Sequence, residues 1–190
     1  EYAGEVTGSI MDCAKINHFK PPRDHADVRH LQALYDGHIK YVDDMIASTM
    51  ESVWQQSPPE DWVVVVTSDH GEAFMQHGDQ GHNTQVYQEM VHIPLVLTAP
   101  GSPLPAGSSV EAPVSLLDVG PTLRALVGLP GHEQVEDGRS LLPFVAEPRA
   151  EVHRPFFFSS RYPKEMEAQP HWTAVRLGDY KLLRSADGVE

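Results

Sequence analysis

The stretch Val63-Val64-Val65-Val66-Thr67-Ser68-Asp69-His70-Gly71-Glu72 decides the fold. A β-branched run that stops at turn residues predicts a buried strand, covered on both faces as in a parallel α/β sheet. Sheets of that kind place ligands in the crevice beyond the carboxyl ends of their strands. Asp69 and His70 stand at that end. A hard carboxylate oxygen beside an imidazole nitrogen makes a candidate half of a divalent-metal site.

Upstream of the valines, Val28, Leu31, Tyr35, Ile39, Val42, Met45, Ile46, Thr49 and Val53 recur at helical spacing and predict one long helix that stops before Pro58-Pro59. The stretch before Asp27 holds turn residues and Pro21-Pro22 and reads as irregular. Downstream, a Gly/His loop covers about Asp69 to Asn83, and Thr84 to Val91 forms a short helix. Ile93 to Thr98 predicts a second buried strand, ended by Pro100-Gly101. Helix, strand, loop and strand in that order suggest an α/β crossover. Leu116 to Val127 reads as a helix with Gly128 just past its end. Phe156-Phe157-Phe158 and Thr173 to Arg176 read as strands, and Gly178-Asp179 fits a tight hairpin turn.

The 190 residues suffice for a substantial core. A formal net charge of −13 argues against a nucleic-acid partner, because phosphate backbones are held chiefly by Lys and Arg. It leaves an anionic small substrate open, since a bound metal reverses the local field. No apolar run approaches the roughly 18 residues of a membrane span. A single cysteine excludes an intrachain disulfide framework.

His70, His77 and His82 cluster after the first strand, with Gly71, Gly78 and Gly81 among them. From spacing alone this reads equally as a ligand cluster or as a surface loop, in a chain that has 11 histidines. Other motifs fail on inspection. Glu89-Met90-Val91-His92 lacks the first histidine of a zinc-protease helix, because Gln88 stands there. Ser68 has no Gly-x-Ser-x-Gly elbow around it.

The order Asp69-His70-Gly71-Glu72, His77-Gly78, Gly81-His82, Val86-Tyr87, Glu89, then His92-Ile93-Pro94-Leu95-Val96-Leu97 and Pro100-Gly101 resembles the sulfatase family of the alkaline phosphatase superfamily. Val114 to Asp118, Pro121-Thr122-Leu123, Gly128-Leu129-Pro130, Asp137 to Pro143 and the hairpin around Tyr180-Lys181-Leu182 agree in order, over about residues 28–184. The resemblance implies a partial alkaline-phosphatase-like α/β sandwich with a mostly parallel central sheet and a small C-terminal β-hairpin region. Residues 1–150 are then the C-terminal portion of the catalytic domain, and 151–190 begin an incomplete C-terminal subdomain.

By position, Asp69 and His70 match that family's metal pair, and His82 matches a residue that contacts the sulfate and assists the leaving oxygen. His77 is a further candidate for substrate contact. Calcium is the metal most often implied. An imidazole ligand also admits Mn²⁺ or Zn²⁺. The family's nucleophile is a formylglycine made from Cys or Ser in a Cys/Ser-x-Pro/Ala-x-Arg motif. Cys13-Ala14-Lys15-Ile16-Asn17 lacks both the Pro/Ala and the Arg, so Cys13 reads as an incidental thiol. The expectation is a fragment of a longer enzyme, cut at both ends, with the nucleophile upstream and no turnover by the isolated chain.

The resemblance implies a small-molecule or glycan sulfate ester as substrate. A phosphomonoester, phosphodiester or phosphonate ester hydrolase of the same superfamily is the alternative, and a non-catalytic metal- or anion-binding piece is the third reading. Compartment is not fixed by the sequence. The family's exported members admit a periplasmic or secreted setting.

Overall fold

In the computed structural model, residues 2–82, 85–130, 137–148, 153–160, 171–185 and 188–189 are described. Asn83, Thr84 and the expected boundary between residues 150 and 151 lie outside them.

The segment before Asp27 is not irregular throughout. Helix α1 spans Ile10–Phe19 and starts from a reciprocal cap. The Ser9 hydroxyl accepts the Asp12 N–H at 3.3 Å, while the Asp12 carboxylate accepts the Ser9 N–H at 3.1 Å. Lys20, in the left-handed conformation at φ 51°, ends the helix just before Pro21-Pro22. Helix α2 spans Ala26–Trp54, as the apolar spacing predicts. His25 caps it by accepting the Asp27 N–H, and Asp27 places a negative charge in the first turn.

Strand β1 is Val64–Thr67. After it come the two-residue strands β2, Ala73–Phe74, and β3, Gln80–Gly81, which pair with each other. Helix α3 is Gln88–Val91 and strand β4 is Leu95–Thr98. The pairing of β1 with β4 corrects one expectation. They run antiparallel, with Val65 opposite Leu97 and Val66 opposite Val96. The segment between them doubles back as a small ladder and a four-residue helix instead of crossing a sheet face. An antiparallel pair needs no crossover. The valines are half-buried, not enclosed on both faces.

A 3₁₀ turn at Leu116–Asp118 leads into α4, Val119–Leu126, and α5 is Leu142–Ala146. Strands β5, Phe156–Ser160, β6, Trp172–Leu177, β7, Tyr180–Ser185, and β8, Gly188–Val189, form an antiparallel sheet in chain order. The hairpin closes at Leu177 opposite Tyr180, with Gly178 at φ 58° supplying the left-handed turn residue. Among the described residues, no helix is long and apolar enough to cross a membrane.

Two apolar clusters hold the histidine loop from opposite ends. Ile16, Val28, Leu31, Phe74 and Met75 pack together between α1, α2 and the start of the loop. Val86, Ala174 and Leu183, flanked by Tyr87, Val91, Phe158 and Trp172, join its far end to the C-terminal sheet. Burying a side chain of Phe or Leu size contributes about 1.5–3 kcal/mol. Each anchor therefore outweighs any single hydrogen bond within the loop.

Candidate metal and anion site

Asp69 and His70 follow β1 directly and face solvent, their side chains 86% and 45% exposed. They are not turned apart. Asp69 Oδ2 lies 3.7 Å from His70 Nε2. The other ring nitrogen, Nδ1, sits 2.9 Å from the Gly71 carbonyl oxygen. A carbonyl only accepts, so Nδ1 is the donor in this contact, and Nε2 is the ring nitrogen on the side of the carboxylate. Asp69 is held below the usual carboxylate range, first by the backbone N–H of its own residue and then by the His70 imidazole. Both residues line a cleft of about 680 Å³ whose wall includes Ser115, Arg154 and Phe156.

His82 comes to the same corner. Its ring stacks on His70 with centroids 4.6 Å apart and planes 24° apart. Its Nδ1 lies 2.9 Å from Glu72 Oε2, and the side chain is 62% exposed. Glu72 is thus a site residue to which the sequence reading gave no role. One signal was present: in extended backbone, residues two apart point to the same side, and Glu72 is two beyond His70. One ligand atom from each of His70, Glu72 and His82 lies within 4.8 Å of the others.

His77 is seated elsewhere. Its Nδ1 pairs with Glu89 Oε1 at 2.6 Å, and its ring stacks on Tyr87 with centroids 3.8 Å apart and planes at 2°. Tyr87 in turn meets Trp172 of β6, ring centroids 5.4 Å apart. That stack ties the loop to the C-terminal sheet. Cys13 lies in α1 as a free, half-buried thiol. Burial, and then the negative charge of Glu72, raise its pKa. A raised thiol without the motif residues does not fit the nucleophile's precursor.

The cleft wall is built by a buried ion pair that no local pattern announces. Asp118 is 0% exposed and accepts the backbone N–H groups of Ser115 and Arg139 at 2.9 and 3.0 Å. Arg154 donates a third hydrogen bond to the same carboxylate, and its guanidinium lies over the Phe156 ring. A positive group is thereby fixed in the cleft that Asp69 and His70 also line.

Comparison with known proteins identifies the family. The Sulfatase family model matches residues 7–129. Arylsulfatase K of Danio rerio is 29% identical over 166 residues, covering 86% of this chain and 31% of that protein. The chain thus spans about a third of the length of the curated relatives it matches. The crystal structure of a phosphonate monoester hydrolase of Agrobacterium radiobacter superposes with a TM-score of 0.71 at 27% identity, over 87% of this chain and 34% of that one. A 2-O GAG sulfatase superposes with a TM-score of 0.73 at 22% identity, over 96% and 39%. That last likeness shows the α/β fold alone. With the family model matching well over half of its length, the chain belongs to the sulfatase family.

Proposed function

We propose that this chain carries one side of the active site of a metal-dependent sulfuric-ester hydrolase. One observation supports the reading most directly: His70 Nδ1 is held 2.9 Å from the Gly71 carbonyl, and Nε2 lies 3.7 Å from the Asp69 carboxylate in a cleft that both residues line. A carboxylate oxygen and an imidazole nitrogen on one side form a donor set that fits a divalent cation. Asp69 and His70 would hold the ion, and Ca²⁺ suits the carboxylate while Mn²⁺ or Zn²⁺ suits the imidazole. When bound, such an ion neutralises and polarises an oxyanion as a Lewis acid.

The chain's own groups then divide the remaining work. His82, held by Glu72, would place its imidazole beside the oxygen on which negative charge builds as the ester breaks. Arg154 adds fixed positive charge to the cleft wall. The assignment of His77 to substrate contact rests on its place in the loop, where Glu89 and Tyr87 hold it. Residues 1–150 belong to the catalytic domain in this reading, and 151–190 open a C-terminal subdomain. The substrate is a sulfate ester of a small molecule or glycan.

A phosphonate or phosphate ester hydrolase is the second reading, favoured by the likeness to the Agrobacterium radiobacter enzyme. Turnover of aryl sulfate, aryl phosphate and phenylphosphonate ester by the intact protein separates the two. Faster sulfate turnover, abolished in Asp69→Ala, supports the first. Phosphonate preference installs the second, and wild-type rates in Asp69→Ala remove the metal assignment from both.

A further inference from the structure

The donor atoms beside Asp69 admit a second, different cation. We propose that His70, Glu72 and His82 form a three-point site for a borderline-soft divalent cation of the Zn²⁺ type. This site competes with the Asp69–His70 pair for the imidazole of His70. The proposal rests on the preceding reading only through that shared ring.

Geometry comes first. Ligand atoms of the three side chains already lie within 4.8 Å of one another. Zinc bonds nitrogen and carboxylate oxygen at about 2.0–2.2 Å, which sets donors roughly 3.3 Å apart in a tetrahedron. Closing the gap asks for shifts on the order of 1 Å. The two groups that must move are the more exposed ones, the His70 and His82 side chains being 45% and 62% exposed. Glu72, only 19% exposed, stays as the fixed point.

Charge and ligand type point the same way. Glu72 makes no ion pair with Lys or Arg among the described residues and pairs with His82. Burial raises the Cys13 thiol's pKa, and the charge of Glu72 adds to that effect. Two imidazoles and one carboxylate, with a further position open to solvent, are the donor set of many zinc centres. Calcium instead takes six to eight oxygens, which this corner does not offer. Because the same ion occupies both His70 and His82, it withdraws the donor proposed for the leaving oxygen. Occupancy of this site therefore opposes sulfate-ester chemistry.

The test titrates the 190-residue chain with ZnCl₂, and separately with CaCl₂, by calorimetry at pH 7.5. Circular dichroism confirms that each variant is folded, and visible Co²⁺ absorption reports nitrogen coordination. Zn²⁺ is expected to bind at one site, weakened roughly ten- to a hundred-fold in Glu72→Gln and in His82→Gln and unchanged in Asp69→Asn. Unchanged Zn²⁺ affinity in folded Glu72→Gln and His82→Gln overturns the proposal, as does absence of Zn²⁺ binding by the wild-type chain. A loss confined to Asp69→Asn also overturns it, and leaves the Asp69–His70 reading standing.

Discussion

The Asn17 carboxamide closes both backbone hydrogen bonds of Gln80, which lies 63 positions further along the chain. Asn17 Nδ2 donates to the Gln80 carbonyl at 2.9 Å, and the Gln80 N–H donates to Asn17 Oδ1 at 2.7 Å. Gln80 belongs to β3, one residue before Gly81 and two before His82. Helix α1 therefore sets the position of the histidine that follows. Asn17→Ala removes both of these hydrogen bonds from a residue that is only 2% exposed. A loss of about 2 kcal/mol in a urea titration is expected, because an unpaired buried polar group costs about 1–3 kcal/mol. An unchanged midpoint would remove α1 from the support of the site.

Gly71 joins the two halves of the loop at close quarters. Its N–H donates to the Met90 carbonyl at 2.8 Å, and a β-carbon there would lie 1.9 Å from the Glu89 carbonyl oxygen. The obstacle is backbone, so no rotamer change relieves it. Gly71→Ala should cost about 2 kcal/mol or more. It should also loosen the pairing of Glu89 with His77, readable as a shifted and broadened His77 imidazole signal. A variant as stable as the wild type would contradict the close approach.

Asp118 and Arg154 form the most enclosed ion pair described, across 36 positions of sequence. Removing the carboxylate leaves a guanidinium with 19% exposure and no counter-charge at Asp118. Asp118→Ala should therefore lose about 3 kcal/mol or more in thermal or urea unfolding. Replacing both partners by apolar residues should recover part of that loss. Equal stability of single and double variants would argue against a coupled pair.

Lys181 gives a pH signature. Its amine donates to the Val86 carbonyl and lies 4.7 Å from the Phe158 ring centroid. Burial, and then the charge of Arg176, push its pKa down to about 8, with Glu89 acting in the opposite sense. Below pH 8 the folded and unfolded chains both hold the proton, and the folded state bears the full penalty. Between about pH 8 and 10.5 the folded amine releases its proton while the unfolded one keeps it, so this group's contribution to stability rises with pH. Denaturant midpoints across that window should climb for the wild type relative to Lys181→Met. Parallel curves would refute the shift.

The apolar spacing of α2, the apolar runs of the two strands and the turn residues of the C-terminal hairpin made these elements legible. Helix α1 escaped because Ile10, Met11 and Phe19 are exposed and its buried apolar residue is Ile16. Its signal was Ser9-x-x-Asp12, a cap and not a stripe. The antiparallel sense of β1 and β4 was not legible, since a continuous apolar run encodes burial and not direction. Asp69, His70 and His82 were named from sequence. Glu72 was read as part of the motif without a firm role, and Arg154 reaches the cleft through a partner far away in the chain.

The central claim is that Asp69 and His70 jointly hold a divalent cation. Mn²⁺, a paramagnetic stand-in for the hard cations, tests it most directly when titrated into the isotope-labelled chain with the histidine side-chain signals followed by NMR. Saturable broadening of His70 that persists in Glu72→Gln and disappears in a folded Asp69→Ala variant is the predicted result. No broadening at His70, or the same broadening without the Asp69 carboxylate, would contradict the account.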